Sequence, residues 1–190
     1  MVRQRLSEEV VVERARQIAD ERGFASVSLS SVAADLGVAT SALYNHCAGL
    51  DGLHHQLAVV ATNELVQTLR TAAIGTQGDV AIFAMAVAYR GFATDHPGQF
   101  AAILRPPIVD DDRLSTANRC VVDTFALVYA GMGFESDRCE FAARSTYCAI
   151  HGFLALEHLS TEPASDSNFD HLIGTLRRGL VEESAPSSDH

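Results

Sequence analysis

Apolar residues in this chain recur every three or four positions, and no stretch keeps the strict alternation of a strand, so the pattern predicts an all-α protein. Val11, Ala15, Ile18 and Ala19 fall at i, i+4, i+7 and i+8 and mark one stripe of a helix from Ser7 to Arg22, which Gly23 ends. Leu29, Val32, Ala33 and Leu36 repeat the pattern on a shorter helix, with Ser28 placed to cap it and Gly37 to stop it. A third short helix is expected from Thr40 to His46.

After Gly49 a long stripe runs through Leu53, Leu57, Val60, Ala61, Glu64, Leu65, Thr68 and Leu69 to Ala73, with Asp51 as its candidate cap. Gly75 and Gly78 bracket a turn. Residues 79–95 then form an apolar helix that stops before Pro97, because proline disfavours a helical conformation in the residue ahead of it. A short helix over 98–104 ends at Pro106 and Pro107. Asp110 to Asp112 precede a helix to Ala130; Gly131 and Gly133 break it, and residues 135–159 resume. Pro163 marks a linker, and Phe169, Leu172, Ile173, Leu176 and Leu180 define a final amphipathic helix over 165–181. The reading is about nine helices: a three-helix segment over 1–48, a larger helical domain over 49–182, and a polar tail, "ESAPSSDH" at 183–190, expected to be disordered.

Composition narrows the function. The 190 residues carry a formal charge of −10, and every one of the 14 basic side chains is arginine. General attraction to phosphate is therefore not the dominant property, and any nucleic-acid binding must be local. Residues 1–50 are nearly balanced, five arginines against six acids, so the acidity lies downstream. Cys47, Cys120, Cys139 and Cys148 show no C-x-x-C spacing, which suggests free thiols in a reducing cytoplasm. The longest apolar run, Val80 to Tyr89, is half the length needed to cross a bilayer and reads as a buried helix.

Two short helices joined by a glycine turn have helix-turn-helix spacing, in which the second helix lies in the major groove. Val32, Leu36, Val38 and Leu43 can plug the small core between them, and Ala33 sits at their close approach. Residues 29–53, "LSSVAADLGVATSALYNHCAGLDGL", carry an apolar-x-x-apolar-Ala helix, a Leu-Gly-Val turn and a helix ending in Leu-Tyr-x-His. In these features the chain resembles the tetracycline-repressor (TetR) family of one-component bacterial regulators. "AIHGFLALE" at 149–157 is similar to the His-Gly-centred (WHG-type) motif of one C-terminal subgroup, and "FDHLIGTLRRGL" to its closing helix.

Base edges are read by hydrogen bonds and apolar contacts, whereas phosphate contacts set register, so an uncharged helix can read sequence. Thr40, Ser41 and Ala42 suit base edges, while Tyr44 and His46 can donate to phosphates. Ser28 and Ser30 stand at a helix start that can meet phosphate, and Arg3 and Arg5 form an arm able to approach the backbone or minor groove. Three positions depart from the family pattern: Ala39 replaces a frequent capping serine, a role Thr40 can assume; Leu50 replaces a frequent lysine; Cys47 replaces a larger apolar plug.

What the resemblance implies is a ligand-responsive repressor: a homodimer that pairs through its last two long helices, binds a palindromic double-stranded operator and is released by a small, largely apolar effector. It places the effector pocket among the middle helices, where Tyr89, Tyr147 and His151 are the polar candidates. It implies no cofactor and no catalytic residue. His151 and His158 lie two turns apart, about 10 Å, too far to chelate one metal ion. His54 and His55 are consecutive and should face solvent and one packing contact. Two rivals stay open: an enzyme using His151 and Glu157 as an acid–base pair, and a ligand-binding or scaffold protein without operator binding, which Ala39, Leu50 and the acidic balance favour.

Overall fold

A computed structural model describes residues 5–105, 112–160 and 165–184, the last five as backbone. Its helices are α1 (Glu8–Arg22), α2 (Leu29–Leu36), α3 (Thr40–Leu43), α4 (Gly49–Ala73), α5 (Gly78–Asp95), α6 (Pro97–Ile103), α7 (Asp112–Gly131), α8 (Ser136–Leu159) and α9 (Asp166–Ser184). A 3-10 turn covers Phe24–Ser26, and no strand occurs among the described residues. The all-α expectation holds, with most helix ends within two residues of their expected positions. Arg3, Pro106, Pro107, Asp110, Asp111, Pro163 and the tail from 185 onward lie outside the described residues.

Several local expectations are corrected. Asp51 lies inside the first turn of α4, because Gly49 already begins that helix, so its carboxylate favours the helix dipole without occupying the cap. Asp112 likewise lies within the first turn of α7. Helix α3 ends at Leu43, and residues 44–46 continue as a turn. Helix α9 runs on to Ser184, since the glutamates of "VEES" are good helix formers. Pro97 is the first residue of α6, where its missing N–H costs nothing. Helix α5 buries one face only; Val80, Phe83 and Val87 stay exposed on the other.

The chain divides into two compact units, Met1–Glu64 with Phe92–Ala117 and Leu65–Gly91 with Asn118–His190. The first is organised around α1, whose Val11, Val12, Ala15, Ile18 and Ala19 are buried with Val27, Val32, Ala33, Leu43, Leu53, Leu57, Ala58, Ala102 and Leu114. His55 is buried and His54 half-buried, so neither of the pair faces solvent as the sequence suggests for one of them; Leu53, Gln56, Leu57 and Ala58 around them are buried too. His54 packs on Phe24 with ring centroids 4.6 Å apart and its Nε2 lies 3.4 Å from the Val27 carbonyl. Burial pushes its pKa below the ordinary imidazole value.

Helix α6 docks on the end of α1 through Asp20. Its carboxylate accepts from the Gln99 backbone N–H at 3.0 Å and the Gln99 side-chain amide at 2.8 Å, and lies 3.1 Å from His96 Nδ1. An anion there complements both the free N–H groups and the positive end of α6. Gly98 makes the approach possible, since a Cβ at that position would overlap the Ala19 carbonyl.

In the second unit, Tyr89, Phe125, Tyr129, Ile82, Met85, Ile150, Leu154, Phe169 and Ile173 are among the buried side chains. Tyr129 Oη and Thr146 Oγ1 pair at 2.5 Å, joining α7 to α8. Arg90 on α5 binds Glu157 on α8 at 2.6 Å and Asp166 on α9 at 2.8 Å, with its guanidinium 4.9 Å from the Phe169 ring centroid. Arg177 on α9 pairs with Asp79 on α5.

Gly98→Ala should destabilise the first unit by about 1–3 kcal/mol, as overpacking against fixed backbone does. Urea unfolding followed by far-ultraviolet circular dichroism checks this, and an unchanged midpoint would refute the close α1–α6 docking.

Candidate nucleic-acid interface

Ser28 opens the helix-turn-helix with a reciprocal cap. Its hydroxyl accepts from the Ser31 N–H at 3.0 Å, while Ser31 Oγ accepts from the Ser28 N–H at 3.0 Å. Ser28 Oγ also lies 2.9 Å from Ser30 Oγ, which is exposed. Thus Ser28 is committed to shaping the helix start, and Ser30 is the outward member of the pair. Gly37 ends α2 at φ 65° and ψ 34°, a left-handed conformation that a side chain would strain. The Val38 N–H returns to the Ala33 carbonyl at 3.0 Å, and α3 begins two residues later.

Helix α3 is a single turn with no side-chain cap at Ala39, and Thr40 makes no capping bond in its place. It is held from behind. Leu43 is fully buried in the α1 core, and Leu36 and Val38 pack against that core from its edge. Such a side chain contributes about 1.5–3 kcal/mol by leaving water. The turn after α3 is fixed as well: His46 and Cys47 N–H groups both donate to the Leu43 carbonyl, at 2.8 and 3.0 Å, and Gln56 Nε2 donates to the His46 carbonyl at 3.1 Å. Cys47 is buried, its thiol 3.4 Å from the same Leu43 carbonyl, and burial pushes its pKa up. It is a packed plug, as expected from the sequence.

Helical periodicity then sets the other face. Thr40, Ser41 and Tyr44 are exposed, Tyr44 at 62%, and none of their side chains has a partner among the described residues. Ala42 and His46 are half-buried on the flanks. Asn45, next in the chain, is exposed as well; in the sequence it is the unspecified residue of Leu-Tyr-x-His.

The unit behind this face is not basic. Its described residues hold six arginines against ten carboxylates, a formal −4. Most of those arginines are engaged: Arg14 and Arg22 share Asp35 at 2.5 and 3.0 Å, Arg16 lies between Glu13 and Glu64 at 2.8 and 3.6 Å, and Arg113 meets Glu8 at 3.3 Å. The Arg14 guanidinium holds the Asp35 carboxyl below its ordinary pKa. Arg5 is exposed.

The three residues singled out for an effector come together in the second unit. Tyr89 from α5 and His151 from α8 share a hydrogen bond of 2.6 Å between Oη and Nδ1. Tyr147, one turn before His151, stacks on Tyr89 with centroids 6.4 Å apart and lies 5.3 Å from the imidazole. Burial lowers the His151 pKa and raises those of both phenols, so all three groups are neutral near pH 7. Glu157, which the sequence offers as an acid–base partner for His151, is bound by Arg90. That Arg90 contact joins residues 67 apart, and no local spacing announces it.

Comparison with known proteins gives consistent relationships. The family model described as "Tetracyclin repressor-like, C-terminal domain" matches residues 82–176. The chain is 31% identical over 179 residues to an uncharacterized HTH-type transcriptional regulator of Mycobacterium tuberculosis, Rv0681, covering 93% of this chain and 82% of that protein. It is 30% identical to an uncharacterized HTH-type transcriptional regulator of Bacillus subtilis, YobS, covering 93% of each. Among solved structures, a TetR variant from Acinetobacter baumannii AYE in complex with minocycline superposes with a TM-score of 0.72 at 18% identity, covering 96% of this chain and 100% of that one. BioQ with its natural double-stranded DNA operator gives 0.69 at 20% identity, covering 94% and 99%. A helix-turn-helix stabilised by these residues, followed by a matching C-terminal domain, places the chain in the TetR family of HTH-type transcriptional regulators.

Proposed function

We propose that this regulator is a repressor that binds a palindromic double-stranded operator as a homodimer and is released by a small, largely apolar molecule. The observation that carries the reading is the bare polar face of α3, whose hydroxyls have no intramolecular work while Leu43 behind them is fully buried. Residues 1–48 act as the reading head and 49–182 as the effector and dimerisation part. Thr40, Ser41 and Ala42 meet base edges, with Ala42 offering its methyl from the flank. Tyr44, His46 and Ser30 meet phosphates, and Ser28 acts by setting the start of α2. Arg5 belongs to the arm. A fold of this kind holds a double-stranded DNA operator in BioQ and minocycline in the Acinetobacter baumannii protein, which supports the same pair of uses here.

Two reading heads about 34–36 Å apart are needed to address successive half-sites. The support for pairing through α8 and α9 is an exposed apolar stripe on α8, Phe141, Leu156 and Leu159, each more than 70% exposed. Beside it a groove of about 470 Å³ is lined by Phe141, Ala142, Thr146, Leu176 and Gly179. Tyr89, Tyr147 and His151 orient the effector. The effector acts by binding one spacing of the two heads better than the other, since a ligand with equal affinity for both would shift nothing. Helix α4, unbroken from Gly49 to Ala73, carries residues of both compact units and is the element through which the shift passes.

Thr40→Ala, Ser41→Ala and Tyr44→Phe should each weaken operator binding while leaving the dimer intact, as gel shift and sedimentation measure side by side. Retained affinity in all three would refute the assigned contacts. With few cations to release counterions, the slope of log K against log salt should be shallower than about −6; a steeper slope in a titration from low to high salt would contradict a neutral reading head.

The His151 pKa lies below the ordinary value of 6.5, so the unfolded chain takes up a proton there before the folded one does. Its contribution is therefore fully present above about pH 6.5 and declines as pH falls toward the folded-state pKa. Wild type should lose more stability between about pH 7.5 and 5.5 than His151→Gln does, by urea midpoint. Equal losses would remove His151 from the buried cluster.

A further inference from the structure

We infer that Asn45 is the principal sequence-discriminating residue of the reading head, and that it selects an adenine in each operator half-site. This rests on the operator-binding reading above. Thr40 and Ser41 on α3 and Tyr44 and Asn45 in the turn that follows it are all exposed, while Leu43 is buried behind them. Hydroxyls both donate and accept, so Thr40, Ser41 and Tyr44 can satisfy almost any base edge or a phosphate and discriminate weakly. The Asn45 carboxamide has one fixed donor group and one fixed acceptor. In the major groove that pair matches adenine, whose N6 donates while N7 accepts, whereas guanine offers two acceptors and cytosine a donor alone. No arginine or glutamine lies on this face to compete for the role.

Rigidity is the second requirement, because a base-reading group that wanders reads poorly. Asn45 sits in the turn anchored on both sides. The His46 and Cys47 N–H groups close on the buried Leu43 carbonyl, and Gln56 from α4 holds the His46 carbonyl at 3.1 Å. The side chain itself has no hydrogen-bond partner among the described residues, so its amide is free for a ligand without first breaking an internal bond. Gln56, itself buried, is a positioning residue for Asn45.

The test is selection of sequences from a random double-stranded DNA library by the full-length protein, by Asn45→Ala and by Asn45→Asp, with thermal melting of each to show that the exposed substitution leaves the fold unchanged. Wild type should enrich a palindrome with one invariant adenine per half-site. Asn45→Ala should lose that preference by roughly five- to 150-fold while keeping the others. Asn45→Asp, which only accepts, should move the same position toward cytosine. If wild type enriches a palindrome and Asn45→Ala weakens all sequences alike, Asn45 is a phosphate contact and the inference falls while operator binding stands. If wild type enriches nothing, the operator reading falls and takes the inference with it.

Discussion

A helix of four residues has no business being stable in water. Nucleating one turn fixes several dihedral angles for a single hydrogen bond, and isolated helices this short do not persist. Helix α3 survives because Leu43 is driven into the core formed by α1, α2 and the first half of α4, and because Gly37 turns the chain so that this one side chain points inward. The arrangement has a functional consequence. A single inward anchor leaves the opposite surface free of structural duties, so its polar groups can wait without partners. The capping serines of α2, by contrast, spend their hydroxyls on one another and on backbone.

Charge follows the same division. The first unit is net negative, and its arginines are largely occupied by carboxylates on neighbouring helices. A protein built in this way gives up much of the salt-dependent attraction that lets basic repressors linger on any duplex. In the operator complex proposed above, what remains is shape, hydroxyl and amide chemistry on a rigid turn, which favours discrimination over residence on random sequence. The docking of α6 onto α1 through Asp20 extends that rigidity beyond the helix-turn-helix itself, since α6 is seated too closely to slide without displacing the Ala19 backbone.

The parts of the structure that were legible in the sequence are those encoded locally. Ser28, Gly37 and the period of Val32, Ala33 and Leu43 state the helix-turn-helix within a window of 16 residues, and caps and left-handed glycines act at short range. The convergence of Tyr89, Tyr147 and His151 is a long-range fact, since the Tyr89–His151 bond spans 62 residues, and only the family resemblance pointed to it. The Asp20 cap on α6 and the Arg90 contacts to α8 and α9, separated by 67 to 79 residues, have no local signal, because a carboxylate or an arginine has many polar partners open to it at such distances in sequence. The places of His54 and His55 are illegible for a related reason. Consecutive residues on a helix point apart, yet here one direction leads to a buried position, His55, and the other to a half-buried one, His54. Asn45 has no signal in the sequence because it stands at the unspecified position of Leu-Tyr-x-His.

Hydrogen–deuterium exchange of the full-length protein, alone and with a duplex from the region upstream of its own gene, tests whether a neutral, back-anchored turn is the DNA-reading surface. Slowed exchange is expected in peptides covering residues 28–31 and 39–47. Binding of that duplex with protection elsewhere and none over 39–47 would contradict it.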